Sequence, residues 1–459
     1  MPKIDNPIKS LREIAELKAV NLYNEKEFLL FKYNERNILY CDGIKTWEDN
    51  NDLFKEAYNF NGKYILSRCE FCNKNKNFHN TMLECYRDLK HTADNLKIAT
   101  KGKINLYITG SLKHTGLKLL FELLHKKQKI DLMALQFVKH IREYQWLNAC
   151  NTGALIYSED NFKGEIEAYD INSYYPSIMK SEIDFPIAEG SFVKLDYISE
   201  TPLFGIYKAK ILSKVNPYLF RINSNNFYTH IDLKRAKELN YEIELVQDGH
   251  ENFLRYTNKE RKKAKSLFGD YMDYLYDIRM KYKSKDNVIE TYLKLLISSL
   301  WGQLSETKTF RVIEDEDGNF IKYEEREGDT HIKSTRLNNG GFEHEFFNIN
   351  DPFKTRFARI KLFLLAQGRY KMSSLIEDNI ANVVQVQTDG FLVKPSQKHY
   401  ELGPEIGKLK LEYKGQAKIN NVNNIEIVCS CGQWHKKSAI KEHLISDIHK
   451  ATIIANNKI

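Results

Sequence analysis

A strand that runs into a helix through an acidic residue is the feature that most constrains the fold of this chain. Residues 165–170 alternate between polar and apolar and end at Asp170, and this period of two predicts a β-strand. Residues 172–179 begin with Asn and Ser, which favour helix N-termini, and predict a short helix. Asp170 is therefore expected at a strand-to-helix corner, where a carboxylate and free backbone groups can face a metal ion and a phosphate together. An ordinary helix start would use the same residue types.

A second carboxylate lies between two short apolar segments. Residues 383–393 contain the step Asp389-Gly390, and Asp-Gly between apolar runs predicts a tight β-hairpin. Because this dipeptide is so common in hairpin turns, the pattern alone favours a turn residue over a metal ligand for Asp389.

A long helical region separates the two carboxylates, and residues 258–304 predict a helical hairpin. Four apolar residues form the stripe expected to face the core, namely Leu293, Leu296, Ile297 and Leu300. Lys294, Ser298 and Trp301 share another stripe at helical spacing. A cation, a small residue and a flat aromatic ring suit a nucleoside triphosphate. A solvated lysine beside a partly buried tryptophan is the alternative.

Charge and composition indicate the class of partner. The chain has 459 residues, a net charge of +8 and 12% aromatic residues. Basic surfaces gather phosphates through counterion release, and aromatic rings stack on unpaired bases. A basic protein kept soluble by its charge is the alternative.

Two observations bear on location. No apolar run approaches the ~18 residues of a membrane span, so no membrane role is expected. The first residues lack the apolar core of a secretory signal. We therefore expect an intracellular protein, in the cytoplasm or nucleus of a host cell and not secreted.

Three motifs resemble those of family B DNA polymerases and follow in the same order. Residues 170–177 are similar to the motif D-x-x-S-L-Y-P-S, with Tyr174 in place of Leu. Residues 294–302 are similar to K-x-x-x-N-S-x-Y-G, with Ser and Trp in place of Asn and Tyr. Residues 387–390 resemble the D-T-D-S hairpin but keep only the second Asp. Independent turn residues would rarely reproduce this order and spacing.

Flanking stretches add to the resemblance. Residues 227–230, 240–243 and 407–412 are similar to segments of viral and linear-plasmid members, many of which are protein-primed. The resemblance covers about residues 160–415 and implies replication of a virus or mobile element.

The resemblance implies an α+β polymerase right-hand fold, with an antiparallel-sheet palm and fingers made of a helical hairpin. An N-terminal α/β domain and a small C-terminal zinc module are expected beside it. The expected boundaries are 1–155 for the N-terminal domain, 156–260 for the first part of the palm, 261–304 for the fingers, 305–418 for the second part of the palm and 425–459 for the zinc module. The N-terminal domain occupies the place of a proofreading exonuclease but has no D-x-E strand motif, so we expect no proofreading.

The resemblance also implies a reaction, in which deoxynucleotides are added to a primer 3′-hydroxyl with two magnesium ions. Asp170 and Asp389 would hold the ions, with the backbone carbonyl of Ile171 as a further ligand. Arg279 and Lys294 would bind the triphosphate. The remaining nucleotide-binding residues would be Ser173, Tyr174, Tyr175, Ser298 and Trp301. Tyr175 would lie under the incoming sugar and exclude a 2′-hydroxyl. The expected partners are primer-template DNA, deoxynucleoside triphosphates and, as in protein-primed members, a terminal protein.

Gln387 is the main departure from the family pattern, because it carries no negative charge where the first hairpin Asp usually lies. A slower polymerase is one interpretation. A catalytically decayed polymerase that serves as a DNA-binding accessory protein is the alternative. A reverse transcriptase fits less well, because its palm usually bears paired aspartates where this chain has Thr388-Asp389.

Cysteine and histidine residues predict zinc at the C-terminal end. Four of them can close a tetrahedral site, namely Cys429, Cys431, His443 and His449, with His435 as a substitute ligand. A reduced cysteine pair beside surface histidines is the alternative. Cys69 and Cys72 would begin a second zinc site with unassigned later ligands, or they are unligated core cysteines.

Overall fold

The computed structural model describes most of the chain beyond residue 82 and four strands before it. The described residues are 28–33, 36–41, 45–49, 64–68, 82–109, 112–127, 135–321, 323–337, 340–428 and 434–436. The chain divides into two compact units. The first unit comprises Met1–Leu132 with Phe268–Gln303, and the second comprises Met133–Leu267 with Leu304–Ile459. No helix in these ranges has the length and hydropathy needed to cross a bilayer.

Helices and strands mix along the described residues. The helices are α1 (Met82–Ala99), α2 (Leu106–Thr109), α3 (Leu112–Lys127), α4 (Ile141–Ala149), α5 (Tyr174–Met179), α6 (His230–Glu238), α7 (Ala264–Tyr282), α8 (Asn287–Gln303) and α9 (Ile360–Ile376). The strands are β1 (Phe28–Tyr33), β2 (Arg36–Cys41), β3 (Lys45–Asp49), β4 (Tyr64–Arg68), β5 (Ile156–Ser158), β6 (Phe162–Ile171), β7 (Asp184–Pro186), β8 (Ser191–Val193), β9 (Gly205–Ile211), β10 (Phe227–Thr229), β11 (Ile243–Leu245), β12 (Phe253–Arg255), β13 (Arg261–Lys263), β14 (Thr309–Glu314), β15 (Phe320–Ile321), β16 (Asp329–Arg336), β17 (Phe342–Asn348), β18 (Val383–Gln387), β19 (Gly390–Val393), β20 (Leu409–Asn421), β21 (Asn424–Val428) and β22 (Trp434–Lys436). Short 3₁₀ helices lie at Asn258–Glu260 and Glu377–Asn382.

The first unit contains a small sheet and a group of helices. Its strands lie in the order β3-β2-β1-β4, with β1 and β4 parallel. Helix α8 packs on α1 and α3. The predicted core stripe of α8 is confirmed, because Leu293, Leu296 and Leu300 have no exposed surface.

The second unit is built around a seven-stranded sheet in the order β22-β21-β20-β6-β19-β18-β5, in which every pair is antiparallel. Side chains of β6, β18, β19, β20 and β21 form its buried core, which includes Ile166, Val384, Ile419 and Ile427. A second sheet, β10-β9-β12-β8 with β11 on β9, and a four-stranded sheet, β15-β14-β17-β16, belong to the same unit. The predicted α+β class with antiparallel sheets is confirmed.

Helix α9 is fixed in the second unit by two buried arginine side chains. Arg359 forms an ion pair with Glu143 of α4 at 2.6 Å, and both side chains are fully buried. The hydroxyl of Tyr256 also donates to Glu143. Farther along α9, Arg369 donates to both carboxylate oxygens of Asp232 in α6. These ion pairs and hydrogen bonds hold α4, α6 and α9 together.

The sequence of residues 132–144 predicts a helix, and this prediction is wrong at its start. Residues 135–140 are not helical, and α4 begins only at Ile141. The backbone N–H of Gln136 donates to the carbonyl of Ile187 at 2.9 Å. The guanidinium of Arg359 donates to the carbonyls of Gln136 and Phe137. These distant partners hold the backbone in a form that local periodicity could not predict.

Three other local predictions also need correction. The sequence of residues 104–108 predicts a short strand, but the segment contains α2, because the N–H groups of Ile108 and Thr109 both donate to the carbonyl of Asn105. The sequence of residues 353–377 predicts a helix, but α9 begins only at Ile360, because Phe353 pairs with Thr307 and the N–H of Lys354 donates to the carbonyl of Glu306. Within the predicted helical region 258–304, residues of β13 pair with β7 instead. The acidic, turn-rich residues 314–319 predict an exposed hairpin, which the pairing of β14 with β15 confirms. The hairpin predicted at 383–393 is also confirmed.

Arg359→Met should lower the free energy of unfolding of the second unit by about 3–5 kcal/mol, because it leaves the Glu143 carboxylate buried without its counter-charge. Urea unfolding followed by tryptophan fluorescence measures the loss. Lys308→Ala is the control, since Lys308 pairs with Asp351 on the surface and its removal should cost at most about 1 kcal/mol. Equal losses in the two variants would contradict the assigned role of the buried pair.

Candidate active site

Strand β6 carries Asp170 into the centre of the large sheet. Two residues lie opposite Asp170 in the antiparallel register, Gly390 of β19 on one side and Lys410 of β20 on the other. Asp389 directly precedes Gly390, and its carbonyl accepts a hydrogen bond from the N–H of Ile171 at 2.7 Å. The sheet therefore brings the two predicted carboxylates to adjoining positions.

The turn that carries Asp389 differs from the predicted Asp-Gly turn. Gln387 pairs with Gly390, so the two turn residues are Thr388 and Asp389, and Thr388 takes the left-handed conformation with φ of +54°. The glycine at position 390 is required by the close packing of two strands and not by the turn. A Cβ atom at Gly390 would lie 2.7 Å from the carbonyl oxygen of Tyr169, so only glycine lets β19 approach β6 this closely.

Lys410 connects two carboxylates at this end of the sheet. Its Nζ lies 2.8 Å from Oδ2 of Asp170 and 3.0 Å from Oε1 of Glu412. Burial alone would lower the pKa of Lys410, but its hydrogen bonds and attraction to the two carboxylates outweigh burial and raise it. A β-bulge between Leu411 and Tyr413 shifts the register at Glu412. The sequence motifs assigned no role to Lys410 or Glu412, although residues 407–412 are similar to a stretch in family members.

The pKa of Asp389 is raised to about 6. The largest cause is withdrawal of its carboxyl group from solvent, and the second is repulsion from Asp170. The residue as a whole is exposed at the turn, but its carboxyl group is largely withdrawn from solvent and lies near the carboxylates of Asp170 and Glu412. Nearby cations therefore favour the charged form, and a divalent ion would do so most strongly.

The helix that follows Asp170 is held by packing and not by a side-chain cap. Ser173 precedes α5 in the left-handed conformation and makes no capping hydrogen bond. Tyr174 donates from its hydroxyl to the carbonyl of Gly368 in α9. Tyr175 is 5% exposed, and a Cβ on Gly368 would lie 3.1 Å from its ring. Burial raises the pKa of Tyr175 to about 12.

The structure distributes the predicted site residues between the two units. Asp170, Ile171, Ser173, Tyr174, Tyr175 and Asp389 belong to the second unit, whereas Arg279, Lys294, Ser298 and Trp301 belong to the first. Within the first unit, Nη2 of Arg279 lies 3.0 Å from Oε1 of Glu290 on α8. On the same helix Lys294 is exposed, and Ser298 and Trp301 are partly buried.

The predicted zinc ligands lie outside the described residues, namely Cys69, Cys72, Cys429, Cys431, His443 and His449. Among the residues that are described, no three His, Cys, Asp or Glu side chains lie close enough to hold a metal ion as they stand. Beside Asp170, the ammonium group of Lys410 lies between the carboxylates of Asp170 and Glu412.

A comparison with known families decides which family this is. The model of the family described as DNA polymerase type B, organellar and viral, matches residues 10–382. The chain belongs to this family. The match to the family B polymerases extends well before residue 160, where the sequence motifs begin, and ends just before β18. Asp170 lies within the match, and Asp389 lies beyond it.

Curated relatives agree with the family. A probable DNA polymerase of Neurospora intermedia is 26% identical over 55% of this chain and 28% of its own length. A DNA polymerase of the Acidianus bottle-shaped virus is 23% identical over 61% of this chain and 39% of its own length. The chain thus spans between about a quarter and two fifths of each of these relatives.

Known structures have a similar fold. Phi29 DNA polymerase complexed with single-stranded DNA superposes with a TM-score of 0.51 at 16% identity, over 74% of this chain and 59% of that chain. Its complex with primer-template DNA and incoming nucleotides gives a TM-score of 0.50 at 15% identity, over 75% of this chain and 60% of that chain. At such identities the likeness establishes the fold alone.

Divalent-cation binding should weaken as the pH falls through about 6, because protonation of Asp389 removes one of the charges that attract the ion. Below that pH we expect the apparent affinity for Mn²⁺ to fall by up to about tenfold per pH unit. Isothermal titration without DNA measures it. Asp389→Asn is the control and should bind weakly, with a flatter pH profile. A wild-type profile that matches this variant would contradict the assignment.

Lys410→Met should bind Mn²⁺ about tenfold more tightly near neutral pH, because the ammonium of Lys410 no longer competes for Asp170 and Glu412. Lys414→Met is the matched control, since Lys414 pairs with Glu167 on the same two strands. Its affinity for Mn²⁺ should equal that of the wild type. Weaker binding by Lys410→Met would mean that Lys410 does not compete with the metal.

Proposed function

We propose that this family B chain is a DNA-directed DNA polymerase that adds deoxynucleotides to a primer 3′-hydroxyl by two-metal-ion catalysis. Its context would be DNA replication of a virus or mobile element. The observation that carries the proposal is the meeting of Asp170 and Asp389 at the end of β6, where burial and, second to it, repulsion from Asp170 raise the pKa of Asp389. Two crowded carboxylates are costly to keep charged unless a cation joins them.

The donor chemistry fits magnesium. Asp170, Asp389 and the backbone carbonyl of Ile171 would hold the ions, and magnesium prefers such oxygen ligands. Bound magnesium would stabilise the attacking and leaving oxygens of phosphoryl transfer. Because Gln387 is neutral, we assign the third negative charge of the site to Glu412. That carboxylate already contributes to the raised pKa of Asp389.

Lys410 would then have two positions. Without metal it neutralises Asp170 and Glu412, and with metal it would turn away from Asp170 because cations repel one another. Its long, flexible side chain permits this movement without a backbone change.

The nucleotide-binding roles follow the resemblance to family B polymerases, residue by residue. Arg279 and Lys294 would offset the triphosphate charge, while Ser298 and Trp301 would contact the base pair. Ser173 and Tyr174, at the start of α5, would also contact the incoming nucleotide. Tyr175 would lie under the sugar and exclude a 2′-hydroxyl, and its packing against Gly368 of α9 suits a rigid barrier. Primer-template DNA and deoxynucleoside triphosphates are thus the proposed partners.

Two features favour the alternative of a catalytically decayed polymerase that binds DNA as an accessory protein. Gln387 leaves the hairpin one charge short, and Lys410 occupies the carboxylates that a metal would need. Such a protein would retain affinity for DNA without synthesis. The experiment below distinguishes the two functions.

Two further parts of the proposal rest on sequence alone. Zinc would be bound at the C-terminal end, by Cys429, Cys431, His443 and His449. A terminal protein would serve as primer, as in the protein-primed members that the flanking stretches resemble.

Primer extension tests the proposed polymerase activity. Wild-type protein, with labelled primer-template and magnesium, should extend the primer, and Asp389→Asn should lose at least about a hundredfold of the rate because a metal-binding charge is removed. Gln387→Asp should extend at least as fast as the wild type, since it restores the usual hairpin charge.

Glu412→Gln is the informative companion variant. If Glu412 supplies the missing charge, this variant should be impaired, and adding Gln387→Asp should recover part of its rate. No extension by any of these proteins, with DNA binding retained, would support the accessory function and refute the polymerase.

A further inference from the structure

A cavity of about 490 Å³ lies beside the end of β6 in the second unit. Helix α9, the 3₁₀ helix after it and the connection between β19 and β20 surround this cavity. Its lining includes Ile171, Lys371, Ser374, Tyr400, Lys408 and Leu409. Its volume falls within the range of roughly 300–1,000 Å³ that is usual for small-molecule sites.

Two of the three lysines that line the cavity are paired with carboxylates that also line it. Lys398 lies 2.9 Å from Asp378, and Lys408 forms an ion pair with Glu401. The structure gives Lys371 no ion pair with a described residue. Its Nζ lies 3.4 Å from Oγ of Ser177.

Lys371 is half-buried, so its missing counter-charge matters. The ammonium lies 5.6 Å from the ring centroid of Tyr174, a contact that offsets a part of the desolvation. Burial lowers the pKa of Lys371, as expected for a cation without a nearby carboxylate. An ammonium has three N–H donors, and Ser177 accepts from one at most.

The rest of the lining suits a ligand that is larger than a single anion. Ser374 is exposed on α9 and offers a hydroxyl beside Lys371. Leu375, Leu409 and the ring of Tyr400 form an apolar side of the same cavity. A charged end and an apolar side match a phosphate attached to a nucleoside.

We propose that this cavity is a second ligand site that binds the terminal phosphate of a small, nucleotide-sized molecule through Lys371. It is distinct from the proposed polymerase centre, because neither Asp170 nor Asp389 lines the cavity. The shared chemistry is a terminal phosphate, from either a nucleotide or free pyrophosphate.

The site is linked to the catalytic corner through the backbone. The N–H of Asn172 donates to the carbonyl of Lys408 at 2.9 Å, and the N–H of Gly407 donates to the carbonyl of Asn172 at 2.7 Å. Gly407 has φ of +85°, which allows the connection to pass close to Ser177. A ligand on Lys371 would therefore stabilise the segment that holds the residues after Asp170.

Binding can be measured without polymerase activity. The full chain is titrated calorimetrically with inorganic phosphate, pyrophosphate and deoxyadenosine monophosphate, in chelator and without DNA, so that magnesium-dependent nucleotide binding does not contribute. We expect binding of one equivalent, and Lys371→Met should weaken it by about tenfold or more because a charge-assisted hydrogen bond is lost. Lys371→Arg should retain most of the affinity.

Controls separate this site from the others. Lys361→Met, on the same helix but outside the cavity, should bind as the wild type does, and so should Asp389→Asn. Ser374→Asp changes an exposed position, should fold normally, and should weaken binding by repelling the phosphate. Comparison of pyrophosphate with the monophosphate identifies the source of the phosphate.

Three outcomes would overturn the proposal. They are the absence of binding to all three probes, wild-type affinity in both Lys371→Met and Ser374→Asp, and Lys371-dependent binding of an oligonucleotide without terminal phosphates but of none of the small probes. Because no arm requires DNA synthesis, a failure here would leave the proposed polymerase function untouched, and the reverse also holds.

Discussion

The pairing of β6 with β19 on one edge and with β20 on the other is the constraint on which the rest of the second unit depends. This register alone brings Asp170 beside Asp389 and Lys410. Side chains alternate between the faces of a sheet, so a slip of one residue in either pairing would reverse which of them meet. The absence of a side chain at Gly390 lets the strands approach, and the buried core of the sheet holds the register. The site is therefore a property of strand pairing more than of any loop.

Helix α9 transmits this order to the other layers. Its two buried guanidinium groups meet carboxylates from different helices, Arg359 with Glu143 and Arg369 with Asp232. Such pairs add little net stability over an apolar core, but they tolerate few alternative arrangements. The two ion pairs set the position of α9, and Gly368 of this helix is the surface on which Tyr174 and Tyr175 of α5 pack. Polar contacts thus fix where the helix lies, and apolar burial makes it stable there.

Sequence reasoning succeeded where a feature is encoded locally. The strand to Asp170, the buried stripe of α8 and the hairpin at Asp389 all follow from short periods and turn chemistry. It failed where distant partners decide. The non-helical backbone before α4 depends on Arg359, which is more than two hundred residues away in sequence. Phe353 lies outside α9 because it pairs with Thr307. Similarly, Lys410 meets Asp170 only through the register of β20 with β6, and Glu412 joins the site at a bulge. No periodic pattern marks such a bulge before the strand pairing is known. The roles assigned to individual site residues stay predictions.

The ion pair at Lys410 has a consequence for how the protein would be made. Carboxylates gathered in one place normally oppose folding until a cation arrives, which would tie the maturation of an enzyme to the supply of metal in its surroundings. Here the chain carries a cation of its own for Asp170 and Glu412. The charges of Asp170 and Glu412 are therefore balanced without a metal ion, and loading of the proposed metal would be an exchange of one cation for another.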